Sequence, residues 1–249
     1  EKALLLREGA VVAVSQKGQL GNPDARIAFE LNSGELLELR ATGNKGITTN
    51  DDPLFVHKFW EQAIHSDAWE RFLSTIERTT DFGGCEHFVR YEGGAGMMRE
   101  LASTQDRDRG RDKQGKNAWG KYGVAVSCMR DLPVARYFGE KFDTNVSAVI
   151  PSNERELDAI WCFCSSPEYN EAVRQIDQAL KVTNATLVKV PFDLAHWQQV
   201  AAERYPNGLP KPYSDDPTQW IFHGHPKPAT DPLQVAVARL LGYRWPAES

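Results

Sequence analysis

The sequence predicts an α+β fold, a largely antiparallel sheet with packed helices. Three observations carry this. β-prone runs bounded by glycine, proline or asparagine follow one another between residues 86 and 150. Helical patterns take over from residue 157 onward. A doubly wound fold would need strands and helices to alternate, and they do not.

Taken in order, residues 1–45 hold two candidate strands, Val11–Ser15 and Arg26–Leu31, around a turn at Gly21-Asn22-Pro23-Asp24. Gly46 to Glu61 reads GITTNDDPLFVHKFWE, a polar loop running into an apolar-aromatic strand or helix start. Trp69, Phe72, Leu73 and Ile76 have helical spacing, against which Thr75, Thr79 and Thr80 weigh. Glu86–Tyr91, Val124–Cys128, Val134–Phe138 and Val146–Ile150 read as strands.

The core is expected in residues 153–192. Leu157 to Cys164 is apolar at almost every position, so each turn of that helix must be walled in by protein. Ser166-Pro167-Glu168 then starts a second helix: a hydroxyl for orphan amides and a proline in the first turn. Its apolar stripe is Tyr169, Ala172, Val173, Ile176 and Leu180. Asn184 closes a turn, and Ala185–Val190 is a β-prone run stopped by Pro191. Beyond Phe192 come a helix around Trp197–Tyr205, a proline-rich loop from Pro206 to Pro232, and a last helix. That helix carries Leu233, Val237, Leu240 and Leu241 on one side, with Gly242 as its stop. The expected organisation is a domain over 1–192 with a C-terminal extension, 193–249, packed on it.

At 249 residues and 41% hydrophobic, the chain is long enough to bury a sizeable core. No run reaches the ~18 apolar residues of a membrane span, and no signal peptide is visible, so a cytoplasmic protein is expected. Its start at Glu1, without a methionine, suggests a piece of a longer polypeptide. Cys85, Cys128, Cys162 and Cys164 are too scattered for a disulfide scaffold and read as reduced core thiols. The formal charge of −5 argues against nonspecific binding over the whole surface.

One stretch departs from that acidity. Arg99 to Lys121 carries Arg99, Arg107, Arg109, Arg111, Lys113, Lys116 and Lys121 against Glu100, Asp106, Asp108 and Asp112. Arginines neutralise phosphates and pair with the major-groove edge of guanine, and glycines let a loop reach. A solvated loop with compensating charges is the alternative. Gly93-Gly94-Ala95-Gly96 precedes a possible helix, a context that cradles phosphate. Arg99, however, stands where a dinucleotide fingerprint needs its third glycine. His223, His225, Asp215 and Asp216 have metal-ligand chemistry, but a structural role among the prolines is favoured and no metal is expected. No lysine has an acid two residues before it, which removes a common nuclease core. No Asn/Asp-Pro-Pro-aromatic tetrapeptide, the grip of amino-methylating enzymes, is present either.

Gly46-Ile47-Thr48-Thr49-Asn50-Asp51 through Phe55 resembles a Gly-Ile-x-Thr-Gly-Asp segment of large restriction-modification and phage-defence DNA methyltransferases of the type IIG-like, adenine-specific kind. Residues 153–192 are similar to their helix, serine break, helix and Val-Pro-Phe ending. Asp216–Trp220, Phe222–Pro226 and Leu240–Pro246 are similar to their tail. Asn50 replaces the family's glycine, and asparagine tolerates positive φ better than most residues. The resemblance implies a target recognition domain whose partners are double-stranded DNA and the methyltransferase domain of the same parent. It also implies S-adenosylmethionine in that catalytic domain and no cofactor in this chain, which by itself would be inactive. Arg99, Arg107, Arg109, Arg111, Lys113, Lys116 and Lys121 are then expected at the DNA, presented by the helix pair. Thr48, Thr49 and Asn50 are expected near the methylase boundary. A protein-interaction module of a defence complex and a small-molecule enzyme using Gly93–Gly96 are the alternatives.

Overall fold

The computed structural model of the chain describes residues 13, 15–19, 34–61, 68–104, 113–212 and 232–240. The two candidate strands before residue 32 lie outside these residues, apart from positions 13 and 15, which are in neither helix nor strand.

The described residues form eight strands: β1 Ala41–Lys45, β2 Val56–Lys58, β3 Trp69–Leu73, β4 His87–Arg90, β5 Gly123–Ser127, β6 Val134–Tyr137, β7 Lys141–Phe142 and β8 Val146–Pro151. They form two four-stranded sheets, in the orders β1-β8-β5-β6 and β2-β4-β3-β7. The first is antiparallel throughout. The second is antiparallel except where β3 meets β7. The expected α+β class with a largely antiparallel sheet is therefore what the chain adopts. The second sheet is nested in the first: β2, β3 and β4 lie in sequence between β1 and β5, and β7 between β6 and β8.

Alternation along β5 shows why the first sheet needs cover on both sides. Val124 and Val126 enter one core, which includes the helices after residue 156, while Ala125 enters another. β8 repeats the pattern, with Val149 on the helix side and Val146, Ala148 and Ile150 on the other.

The helices that matter here are α1 Asp52–Phe55, α2 Met97–Thr104, α3 Leu157–Cys164, α4 Pro167–Ile176, α5 Leu194–Arg204 and α6 Pro232–Leu240. In α3, every residue from Ala159 to Cys164 is buried, as its continuous apolarity requires. Ser166 caps α4 as expected, its hydroxyl accepting from the Tyr169 N–H at 3.3 Å with Pro167 in the first turn. Tyr169 and Val173 are fully buried on its stripe. Phe163 is ringed by Tyr169, Phe192 and Trp197, each 5.2 Å away between centroids. Trp161 donates its indole N–H to the Tyr205 hydroxyl at 3.1 Å. Through Trp197 and Ala201, α5 thus belongs to the same core as α3.

Four local expectations are overturned. Trp69–Leu73 is strand, not helix, because pairing with β4 and β7 on either side outweighs its spacing; Phe72 and Leu73 face different cores. Thr186–Val188 is a 3-10 turn instead of a strand, with the Thr183 hydroxyl taking the Thr186 N–H and Asn184 tied to the Gly43 carbonyl. Leu180 is 70% exposed, since α4 stops at Ile176 and the Arg174 guanidinium donates to the carbonyls of Asp177 and Ala179. In α6 the buried positions are Val235 and Ala238, while Leu233 and Leu240 are exposed; Leu241 and Gly242 lie outside the described residues. No helix among the described residues is long and apolar enough to cross a membrane.

Candidate nucleic-acid interface

One end of the first sheet gathers loops from distant parts of the sequence. Here β1 ends at Lys45, β8 begins at Val146, and the turn 128–133 joins β5 to β6. Gly46 lies against the β7 end so closely that a Cβ would stand 2.2 Å from the Asp143 carbonyl oxygen and 2.3 Å from that of Phe142. Ile47 donates its N–H to the Phe142 carbonyl at 2.7 Å. Asn50 has φ 66, the left-handed conformation that asparagine tolerates better than most residues. Asp51 caps α1 through the Leu54 N–H at 3.2 Å. Thr49 is buried and its hydroxyl donates to the Asp52 carboxylate, so its side chain holds the turn and does not face a ligand. Thr48 is half-buried and Asn50 is exposed.

The basic segment is built into this body at both ends. Before residue 105 it is α2, whose Met98 is buried with Ile47, Phe55 and Phe72. From residue 113 it is a series of turns, not an open loop. Thr48 donates its hydroxyl to the Gln114 side-chain oxygen at 3.3 Å, and a Cβ on Gly115 would stand 2.8 Å from the Phe142 ring and 2.9 Å from the Lys45 carbonyl oxygen. Ala118 is fully buried, and Trp119 meets Tyr91 edge-on at 5.6 Å. Lys141 pins that corner, its ammonium 4.4 Å from the Tyr91 ring centre and 4.5 Å from that of Trp119, and paired with Glu70.

The structure therefore brings Thr48, Asn50, Lys113 and Lys116 together, the two lysines exposed. Lys121 is also exposed but lies at the other end of the sheet, where β5 begins and Gly120 donates to the Gly139 carbonyl. Arg99 is half-buried on α2. Arg107, Arg109 and Arg111 lie outside the described residues. The expectation that the helix pair presents the basic segment is corrected. Helices α3 to α5 cover the Val124 and Val126 face, whereas Met98 and Ala118 anchor the segment in the layer on the opposite face. Lys45, Arg130 and Lys181, all exposed, stand at the same loop end as Lys113 and were not singled out by the sequence. They are isolated in sequence, so only strand pairing joins them.

The glycine-rich stretch holds an anion of its own. Glu92, at φ 52, folds over Gly93–Gly96 and accepts from the Met97 N–H at 2.8 Å and from Arg90 at 2.7 Å. Those two bonds hold its carboxyl below the usual carboxylate range. A Cβ at Gly96 would coincide with the Glu92 carboxylate, 1.4 Å away. A phosphate at the start of α2 would have to displace this side chain. All four cysteines are free and buried, and burial raises their pKa values, so they are thiols at neutral pH. No group of three or more His, Cys, Asp or Glu side chains converges on a metal-sized site among the described residues; Asp215, Asp216, His223 and His225 lie outside them.

No protein-family model matches the chain, and no curated protein matches it. Among solved structures it is similar to a Type IIL restriction-modification enzyme, MmeI, in complex with DNA, with a TM-score of 0.43 and 10% identity. The match covers 87% of this chain and 35% of that one, so the chain spans about a third of that enzyme's length. No residue role is carried across from it.

Proposed function

We propose that this chain is the DNA-recognition part of a restriction-modification or phage-defence methyltransferase acting on adenine. S-adenosylmethionine and the chemistry then belong to another part of the parent polypeptide. One observation carries the reading. The Thr48–Gln114 hydrogen bond joins the Gly46–Asp51 loop, which resembles the methylases, to the basic segment, so both belong to one surface. Methylating an exocyclic amine requires the base to leave the stack while the duplex is held elsewhere. A fixed body that supports exposed lysines, in a sequence that also carries Arg107, Arg109 and Arg111 just before them, suits that holding role. The small-molecule alternative is weakened by Glu92, which already fills the cradle its phosphate would need.

Fluorescence anisotropy with a labelled duplex tests the proposal. Affinity should fall steeply as salt rises, and Arg107→Gln with Arg109→Gln should weaken binding. Salt-independent binding, or a rise in melting temperature with S-adenosylmethionine on this chain alone, would overturn it.

A further inference from the structure

The loop end of the first sheet has two charged margins, and their separation is set by the strand order. On the β1 side stand Lys45, the last residue of that strand, and Lys113, next to the Gln114 that bonds Thr48. On the β5–β6 side stand Arg130, in the connecting turn, and Lys181, which bridges to Met129 and donates to the Asn145 side chain at 2.7 Å. The turn is fastened from α4 by Asn170, which donates to the Asp131 carbonyl at 2.6 Å, and by Arg174, which donates to the Arg130 carbonyl. Arg130 itself has φ 55, so the turn shape is fixed and its exposed side chain leaves from a set position. Beside β1 lies the Thr144–Asn145 turn that precedes β8, which Lys181 reaches from the Met129 side. In the described sheet the β5–β6 turn that carries Arg130 lies two to three inter-strand steps from β1. At about 4.8 Å per step that is roughly 10–14 Å, close to the ~12 Å width of the B-DNA major groove. The acids at this end are partly engaged within the chain: Asp51 caps α1, Asp52 accepts from Thr49, Asp143 accepts from the Asn145 N–H, and Asp131 is exposed beside Arg130.

Resting on the DNA-recognition reading, we propose that this end straddles a groove of duplex DNA. Lys45 with Lys113 contacts one phosphate strand, and Arg130 with Lys181 contacts the other. The grip therefore draws on the helix-covered layer as well as on the layer that holds the basic segment.

The test is the dependence of duplex affinity on salt for the full chain. Two double variants are compared, Lys45→Gln with Lys113→Gln and Arg130→Asn with Lys181→Gln, the asparagine keeping the left-handed turn. Arg155→Gln, an exposed cation beyond the opposite end of β8, is the control. Each double variant should lower the slope of log affinity against log salt by about 1.8, near 0.9 per phosphate contact, equally for duplexes of any sequence. The control should leave the slope unchanged. If the wild-type chain shows no salt-dependent duplex binding, the recognition reading falls and this inference with it. If it binds but neither double variant changes the slope, the inference alone is wrong. A change confined to one margin would equally overturn the two-sided grip. Circular dichroism on each variant separates loss of contact from loss of fold, and a misfolded pair is replaced by the corresponding single glutamine variants.

Discussion

The two faces of the first sheet do different work, and the residues buried on each show it. The helix-covered face is dry: Ile160, Trp161, Phe163, Tyr169 and Leu187 close over Val124, Val126 and Val149. Its buried polar tips are satisfied within the chain, Trp161 by Tyr205 and the Tyr169 hydroxyl by the Leu187 carbonyl at 3.0 Å. The opposite layer is imperfect. It holds Asp81, His87 and Trp119, each with a buried polar atom that has no hydrogen-bond partner among the described residues. It also holds Glu140, whose burial raises its carboxyl pKa; positive φ occurs in both layers, at Asn50 and Glu92 here and at Arg130 and Leu132 beside the helices. Unsatisfied polar groups gather where a protein does something besides fold. The basic segment is anchored in that layer, while the helix-covered layer is mainly framework and lends only Arg130 and Lys181 to the loop end.

The comparison is broken most forcefully from the dry side. Trp161→Ala should cost about 3–5 kcal/mol, read as a lower urea midpoint, with the salt slope of DNA binding unchanged in the molecules that remain folded. A change in slope would mean that the faces are not separable. The next largest effect is expected in the other layer. Gly46→Ala places a Cβ on two carbonyl oxygens that cannot move aside, and should cost about 1–3 kcal/mol. Unlike Trp161→Ala, it should also weaken DNA binding, because it displaces the loop that Thr48 ties to Gln114.

Acid sharpens the contrast further. Burial, with Lys58 adding to it, lowers the His87 pKa to about 4 from an ordinary 6.5. The unfolded chain thus takes up the proton first, and stability is lost as pH falls from about 6.5 towards 4. The loss should be about 1–2 kcal/mol once partial exposure is allowed for. His87→Gln should remove that part of the slope, read as the difference from wild type in urea midpoints across this range. Glu140 runs the other way: its raised pKa costs stability as pH rises above its ordinary range, so Glu140→Gln should stabilise the protein at pH 7. On the dry face, burial raises the Cys164 and Tyr169 values, so neither titrates in the range where His87 does. The smallest effect is a lost cap: Ser166→Ala should cost about 1 kcal/mol by thermal melt and leave DNA binding alone.

How legible each part was follows from the range of the interaction that decides it. Strands β4, β5, β6 and β8 and the Ser166-Pro167 helix start were readable because side-chain alternation and capping act within a few residues. β3 was misread because Trp69, Phe72 and Leu73 satisfy a helical spacing, and only pairing with β4 and β7 decides otherwise. The candidate interface was half visible. Lys113 and Lys116 announce themselves by crowding, and Asn50 by its place in a turn. Lys45, Arg130 and Lys181 carry no local signal. Thr49 looked equivalent to Thr48 until its hydroxyl was seen bonded to Asp52.

The pairing of β1 with β8 governs how the chain can be assembled. Among the described residues, Ala41–Lys45 has no strand neighbour other than Val146–Pro151 in its sheet, and on the order of a hundred residues separate them. At a ribosomal rate of about 5–20 residues per second, the earlier segment waits roughly 5–20 s for its mate. All of β2, β3 and β4 is synthesised during that delay. Neither sheet can be excised as a continuous fragment, so dissecting this protein calls for point variants or a circular permutation, not truncation.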